Sequence, residues 1–139
     1  MTEKQKMLMG ILYNAEDQAL IEERNHAKSL TRQFNEHWED KGRRNYLIGQ
    51  IFGSLGKNVH LEAPIYLDYG YRTTIGSDFF SNFNLTILDG GGVEIGNHVF
   101  IGPNVGIYTA NHPADVKRRE KGYESVSYTH LRAHETPEH

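Results

Sequence analysis

The sequence of 139 residues contains no cysteine, which excludes disulfides, thiolate metal sites and a cysteine nucleophile. Its net charge is only −3, and its longest basic run is Lys117 to Arg119, so nucleic acid is not expected as a partner. The longest apolar stretch, Met7 to Tyr13, is interrupted by Gly10 and is far too short to span a bilayer. We therefore expect one soluble domain in the cytoplasm, with no membrane partner.

A short apolar unit recurs in the second half of the sequence. Val93-x-Ile95, Val99-x-Ile101 and Val105-x-Ile107 follow one another at intervals of six residues. Each pair of β-branched residues suits one face of a minimal strand, and the glycines, asparagines and proline between the pairs are turn residues. Six-residue repeats are typical of parallel β-helices, at about eighteen residues per coil.

Less regular copies of the same unit lie upstream. They are Val59-x-Leu61, Ile65-x-Leu67, Thr73-x-Ile75 and Leu85-x-Ile87. A β-sandwich with tight turns is the alternative, but its strands are usually longer, at roughly 5–6 residues. The pattern therefore favours a β-helix over residues 56–110.

The first 55 residues have a helical rhythm instead. Apolar and other residues recur three or four apart at Leu20, Arg24, Ala27, Thr31, Phe34 and Trp38, which predicts an amphipathic helix. Thr2 and Gln5 fit a capping box for an earlier helix. Asn14 or Asp17 would cap the second helix, and Gly42 would end it before a third helical segment around Leu47 to Phe52. For Asp17, we favour the capping role over a substrate carboxylate.

Several motifs together resemble one known family. The stretches "LYNAEDQALIEERNHAKSL", "DYGYRTTIG", "FFSNFNLTILD", the hexapeptide run and "YTANHP" occur in the order found in maltose and galactoside O-acetyltransferases of the hexapeptide-repeat superfamily. The resemblance implies a mainly β fold, a left-handed parallel β-helix of triangular section behind an N-terminal α-helical cap. It also implies a homotrimer with active sites between subunits, which transfers acetyl from acetyl-CoA to a sugar hydroxyl without a metal.

His112 is the candidate catalytic residue. It lies where the repeat stops and is followed by Pro113, which turns the chain away from the ladder. Attack of a sugar hydroxyl on a thioester needs a base, and histidine titrates nearest to neutral pH. In the resembling family the matching histidine is the general base, and the following loop, residues 111–124 here, covers the site across the subunit interface.

Other polar residues are weaker candidates for the site. Asn82 and Asn84 alternate with Phe83, so both amides are predicted to share one face while the ring packs on the other. By resemblance, Asn82 and Asp68 match acceptor-binding positions; each is nearly as readily a turn residue. Asp89 could orient His112, bind a hydroxyl or cap the glycines that follow it.

The resemblance also bears on the two substrates. We expect Asn111 to contact acetyl-CoA. The galactoside branch carries acidic residues at the positions of Ala15 and Gly90, so their absence favours glucose or maltose as the acceptor over galactosides. A different acyl group or an amine acceptor would use the same base.

A zinc hydratase is a second enzyme class found on this architecture. It would need three imidazoles around one metal. Only His60, His98 and His112 lie in or beside the repeats, and His60 is several turns away from the other two, so a metal site is not expected.

The end of the sequence departs from the family pattern. The family resumes hexapeptides through further coils that carry most coenzyme A contacts, whereas residues 125–139, "SVSYTHLRAHETPEH", contain no V-x-I pair. We expect a chain truncated after about three coils, with a non-native polar tail. It would then be an inactive enzyme fragment or, alternatively, a non-catalytic trimeric β-helix module.

Overall fold

The chain is described over residues 1–133 in a computed structural model and contains three short parallel sheets, one small antiparallel sheet and an N-terminal group of helices. The helices are α1 (Glu3–Leu8), α2 (Gln18–Glu36), α3 (Lys41–Ile51) and α4 (Val116–Glu120). The strands are β1 (Tyr13–Asn14), β2 (Ser54–Leu55), β3 (Val59–Leu61), β4 (Ile65–Leu67), β5 (Thr73–Ile75), β6 (Phe79–Ser81), β7 (Leu85–Leu88), β8 (Val93–Ile95), β9 (Phe100–Ile101), β10 (Gly106–Tyr108), β11 (Ala110–Asn111), β12 (Tyr123–Val126) and β13 (Thr129–Leu131).

The apolar pairs of the repeat form the walls of a three-sided coil. Its sheets are β13-β8-β5-β2, β3-β6-β9 and β10-β7-β4. The inward residues of successive coils stack into one core that also takes in Phe34, Leu47 and Ile51 of the helices. The buried core thus follows the sequence pattern of two apolar residues per side.

Each coil is longer than the repeat alone predicts. Stacked strands pair a residue with the one twenty positions later, whereas six residues per side would give about eighteen. The extra two residues lie at one corner, since Ile65 and Thr73 start successive sides eight residues apart. We call this the long corner; it comprises residues 68–72 and 88–92, and it includes the glycine-rich stretch Gly90 to Gly92.

The structure confirms two of the three helix boundaries that the sequence predicts for the helical cap. Thr2 and Gln5 form the capping box of α1, and the Asp17 carboxylate accepts from the backbone N–H groups that start α2. The expected role of Gly42 is wrong: α2 ends at Glu36, and Gly42 lies inside α3, whose cap is Asp40. The apolar spacing that reached Trp38 masked this break. No helix within residues 1–133 is long and apolar enough to cross a membrane.

The segment expected to be a polar tail joins the fold as far as it is described. β13 pairs in parallel with β8, and β12 pairs with β11. Leu131 is buried in the core of the coil, and Val126 is buried in a second apolar cluster, with Tyr13 and Tyr69. Residues 134–139 lie outside the described part. The origin of residues 125–139 stays a prediction.

Candidate functional site

A small antiparallel sheet brings His112 beside Glu124. β12 lies between β1 and β11, with Tyr13 opposite Glu124 and Asn111 opposite Ser125. β11 ends at Asn111, so His112 directly follows the strand, and it lies close enough to Glu124 for its charge to act on that carboxyl. Residues directly opposite on neighbouring strands share a face of the sheet. Tyr13 and Glu124 therefore form a row on one face, with His112 next to it.

Arg24 lies close to Glu124. It projects from α2, donates from Nη1 to the Tyr69 hydroxyl and from Nη2 to the Ala15 carbonyl, each at 2.8 Å. Its guanidinium also lies 5.8 Å from the centre of the Tyr69 ring. Tyr13, Ala15 and Tyr69 belong to a second apolar cluster, separate from the coil interior. Arg24 is thus held in a fixed position by two hydrogen bonds and one ring.

Two partly buried carboxyl groups lie in the same region. Burial raises the pKa of Asp68; the charge of Glu124 raises it further, while Arg24 and Lys28 oppose the rise. Burial likewise raises the pKa of Glu124, with His112 and Arg24 opposing. These shifts arise because a carboxylate loses hydration when buried and is repelled by a second one. Carboxyl groups perturbed in this way are frequent at functional sites.

The tyrosines around these carboxyls stay protonated over the physiological range. Burial raises the pKa of Tyr69 to about 12, against the opposing hydrogen bond and charge of Arg24. Burial and the Glu124 charge raise the pKa of Tyr13 as well. Both phenols are therefore hydrogen-bond donors or acceptors here rather than bases.

Asp89 is enclosed within the long corner. Its side chain has no exposed surface, and its carboxylate accepts from the Tyr69 backbone N–H at 2.8 Å and from the Thr73 hydroxyl at 2.9 Å. Each oxygen therefore has a partner within the fold, and the expected roles of Asp89 at His112 or at a substrate hydroxyl stay predictions. Asp89 ties successive long corners together and fixes the backbone next to Asp68.

Asn84 is also a structural residue. Its backbone is left-handed, with φ of 64°, and its side-chain Nδ2 donates to Asn104 Oδ1 of the next coil at 2.9 Å. The expected packing of Phe83 is wrong, since this ring is half exposed at the corner. The left-handed turn breaks the strict alternation on which that prediction depended.

Asn82 is not brought near His112 within one chain. Its side chain accepts from the Phe83 backbone N–H. Asn82 lies at the corner before β7, whereas Asp68 lies at the long corner that follows β4. The four residues of β7 span roughly 13 Å at the usual rise. One chain therefore holds the predicted acceptor residues at opposite edges of one face.

His112 and Asn111 are exposed beside the row. Within residues 1–133, no three histidine or acidic side chains are placed to share a metal ion. His60 stacks on Phe80, and His98 lies 3.5 Å from Asp78, so these imidazoles do not converge with His112.

Sequence reasoning missed Glu124, Tyr13, Tyr69 and the role of Arg24. The register of β12 could not be foreseen, because its partners are more than ten residues away in the chain. The sequence did contain a sign that Arg24 has a specific partner, because a charged residue occupies a core-facing helical position between Leu20 and Ala27.

Comparison with known proteins places this architecture in a family. The maltose acetyltransferase hexapeptide capping motif matches residues 6–56, which extend from α1 through α2 and α3 to the first strand of the coil, β2. A maltose O-acetyltransferase from Clostridium difficile 630 superposes with a TM-score of 0.88 at 46% identity, over 92% of this chain and 69% of that one. A galactoside acetyltransferase in complex with coenzyme A superposes with a TM-score of 0.86 at 34% identity, over 92% and 64%.

Similarity in sequence extends over the same region. A Dictyostelium discoideum protein named as an acetyltransferase is 38% identical over 124 residues, which are 89% of this chain and 65% of that protein. The chain spans between 59% and 65% of the length of the first four curated relatives. The expected fold, a left-handed parallel β-helix behind a helical cap, is confirmed. The chain belongs to the maltose and galactoside O-acetyltransferase family of hexapeptide-repeat acetyltransferases.

Proposed function

We propose that the protein is a cytoplasmic acetyltransferase that moves acetyl from acetyl-CoA to a hydroxyl of a sugar such as glucose or maltose. The observation that carries this proposal is the pairing of β11 with β12, which brings His112 close to Glu124, while the charges of Glu124 and Arg24 both act on Asp68. A candidate base, a carboxylate and candidate acceptor-binding groups are therefore neighbours.

His112 acts as the general base in this proposal. Its imidazole removes the proton from the sugar hydroxyl as the oxygen attacks the thioester carbonyl carbon. The tetrahedral intermediate collapses with cleavage of the carbon–sulfur bond, and the imidazolium returns the proton to the departing thiolate. The products are the O-acetyl sugar and coenzyme A. Backbone N–H groups stabilise the oxyanion, and no metal is needed.

Glu124 supports the base through its charge. A carboxylate next to His112 stabilises the imidazolium formed during proton transfer, as the orienting acid of a catalytic triad does. The reciprocal effect is already present, since His112 opposes the rise of the Glu124 pKa. We therefore assign Glu124 as a positioning residue for His112.

Asp68 and Arg24 are suited to the acceptor. A carboxylate accepts hydrogen bonds from sugar hydroxyls, and a guanidinium donates them. Arg24 already has two partners, which hold it without using all five of its N–H groups. Asn111, next to His112, is proposed to contact acetyl-CoA; the solved galactoside acetyltransferase similar to this chain was obtained in complex with coenzyme A.

A homotrimer is the assembly that we propose, and the position of Asn82 supports contact between copies. We propose that Asn82 completes the site of a neighbouring copy, because it is too far from His112 in its own chain. An aromatic ladder on the β3-β6-β9 face supports this: His60, Phe80 and Phe100 stack outward with ring centres 5.5 and 5.0 Å apart. Phe100 is 66% exposed, and exposed apolar patches of this kind mark protein interfaces.

Product analysis of the full chain tests the proposal. We expect acetyl-CoA and glucose or maltose to give an O-acetyl sugar by mass spectrometry, with one free thiol released per acetyl transferred. His112→Ala is expected to lower the rate roughly 10²–10⁴-fold, the usual contribution of a general base. The exposed His98→Ala serves as the matched control. Release of thiol without an acetylated sugar contradicts the sugar acceptor, and an undiminished rate in His112→Ala contradicts the assigned base. Absence of turnover in the wild type favours the non-catalytic module.

A further inference from the structure

A groove beside α2 leads away from the candidate site. It consists of two cavities that share Asn35, one of about 380 Å³ against Tyr66 and one of about 340 Å³ against Trp38 and Phe83. Both lie within the range of small-molecule pockets, about 300–1,000 Å³. We call the pair the α2 groove. Its three aromatic rings are each about half exposed.

Lys28 joins this groove to the site. Its side chain lines the larger cavity, and its charge also acts on the Asp68 carboxyl. Leu67, which precedes Asp68 in the chain, lines the same cavity. A molecule bound at Asp68 would therefore extend into the α2 groove without leaving the protein surface.

The lining of the larger cavity is amphipathic. The Tyr66 ring and Leu67 provide apolar surface, and Arg32 and Glu36 provide charged groups at the rim. Arg32 Nε and Glu36 Oε1 are 3.8 Å apart, and both side chains are mostly exposed. Both can therefore form hydrogen bonds with a ligand. Asn35 is not available, because its amide is paired twice with the Ile65 backbone.

We propose that the α2 groove binds the second ring of an oligosaccharide acceptor, stacked on Tyr66. A pyranose ring has an apolar face and a polar rim, and this matches an aromatic platform flanked by hydrogen-bonding groups. This inference rests on the proposed acetyl transfer and names its substrate class: a glycan of two or more rings, whose reacting ring lies at Asp68 and His112.

The test compares acceptors of one, two and three rings. We expect Tyr66→Ala to lower kcat/KM for maltose and maltotriose roughly three- to tenfold more than kcat/KM for glucose, the usual scale of an aromatic contact. Tyr66→Phe keeps the ring and should retain most of the preference for longer acceptors. Tyr46→Ala, which removes an exposed tyrosine of α3 outside the groove, should leave the ratio unchanged.

A binding measurement separates failure of this inference from failure of the proposed function. Calorimetric titration of maltotriose into His112→Ala, with and without Tyr66→Ala, needs no catalysis. Binding that weakens with Tyr66→Ala supports the groove even where no acceptor is acetylated. An equal loss for one-ring and three-ring acceptors, or unchanged maltotriose binding in the double variant, overturns it.

Discussion

Single residues at the site are arranged for chemistry at the expense of stability. Partial burial raises the pKa of both Asp68 and Glu124, and the charge of Glu124 adds to the rise at Asp68. A carboxyl whose pKa is higher in the folded state favours folding at low pH and loses that contribution as pH rises through the folded-state value. At neutral pH, the ionised pair therefore opposes folding.

Asp68→Asn should separate stability from function. It removes one buried charge, so the variant is expected to be at least as stable as the wild type at pH 7, with an advantage that disappears below about pH 4, where the acid is neutral in both states. Its KM for the sugar should rise. Urea titrations across this pH range measure the difference, and Glu39→Gln, at an exposed position, is the control. An advantage that grows toward acid pH contradicts this account.

At the scale of elements, the strands could be predicted and the corners could not. Pairs such as Val93-x-Ile95 fix which residues face inward, because the period of two is strict within a strand. Corner length depends on backbone conformations that two apolar residues do not specify. The two extra residues of the long corner, which place Asp68, were visible only as interruptions by Tyr69 to Tyr71 and by the glycines.

The corner at Asn84 gives a direct test of an element-level role. Asn84→Ala is expected to lower the free energy of unfolding by about 1–2 kcal/mol, because asparagine tolerates a left-handed backbone better than alanine does and the bond to Asn104 is lost. Asn84→Gly should cost less, since glycine accepts the same φ. The KM for the sugar should stay unchanged in both, in contrast to Asn82→Ala. A raised KM with unchanged stability would contradict this structural role and would indicate that Asn84 binds the acceptor. Thermal and urea unfolding provide the stabilities.

At the scale of the whole molecule, the resemblance predicted the fold and the helical cap, and the arrangement of distant segments suggests the divided site that we propose. The pairing of β12 with β1 and β11 brings Glu124 close to His112 and Arg24, and the charge of Glu124 acts on Asp68 at the long corner. Asn82 remains at the opposite edge of the β10-β7-β4 face. Contacts between distant segments determine both facts, and local sequence patterns carry no information on such contacts. The aromatic ladder through Phe100 offers the surface on which a second copy would supply the missing amide.

Complementation between two inactive variants tests the central claim, a shared acetyl-transfer site, most directly. His112→Ala and Asn82→Ala, each with its own affinity tag, are produced together and the mixed oligomers are isolated. If each site takes His112 from one copy and Asn82 from the next, the isolated mixed trimers should show about a third of the wild-type rate of maltose acetylation, because one of the three sites in each mixed trimer has both residues intact. Mixed oligomers that stay as inactive as either parent would contradict the account.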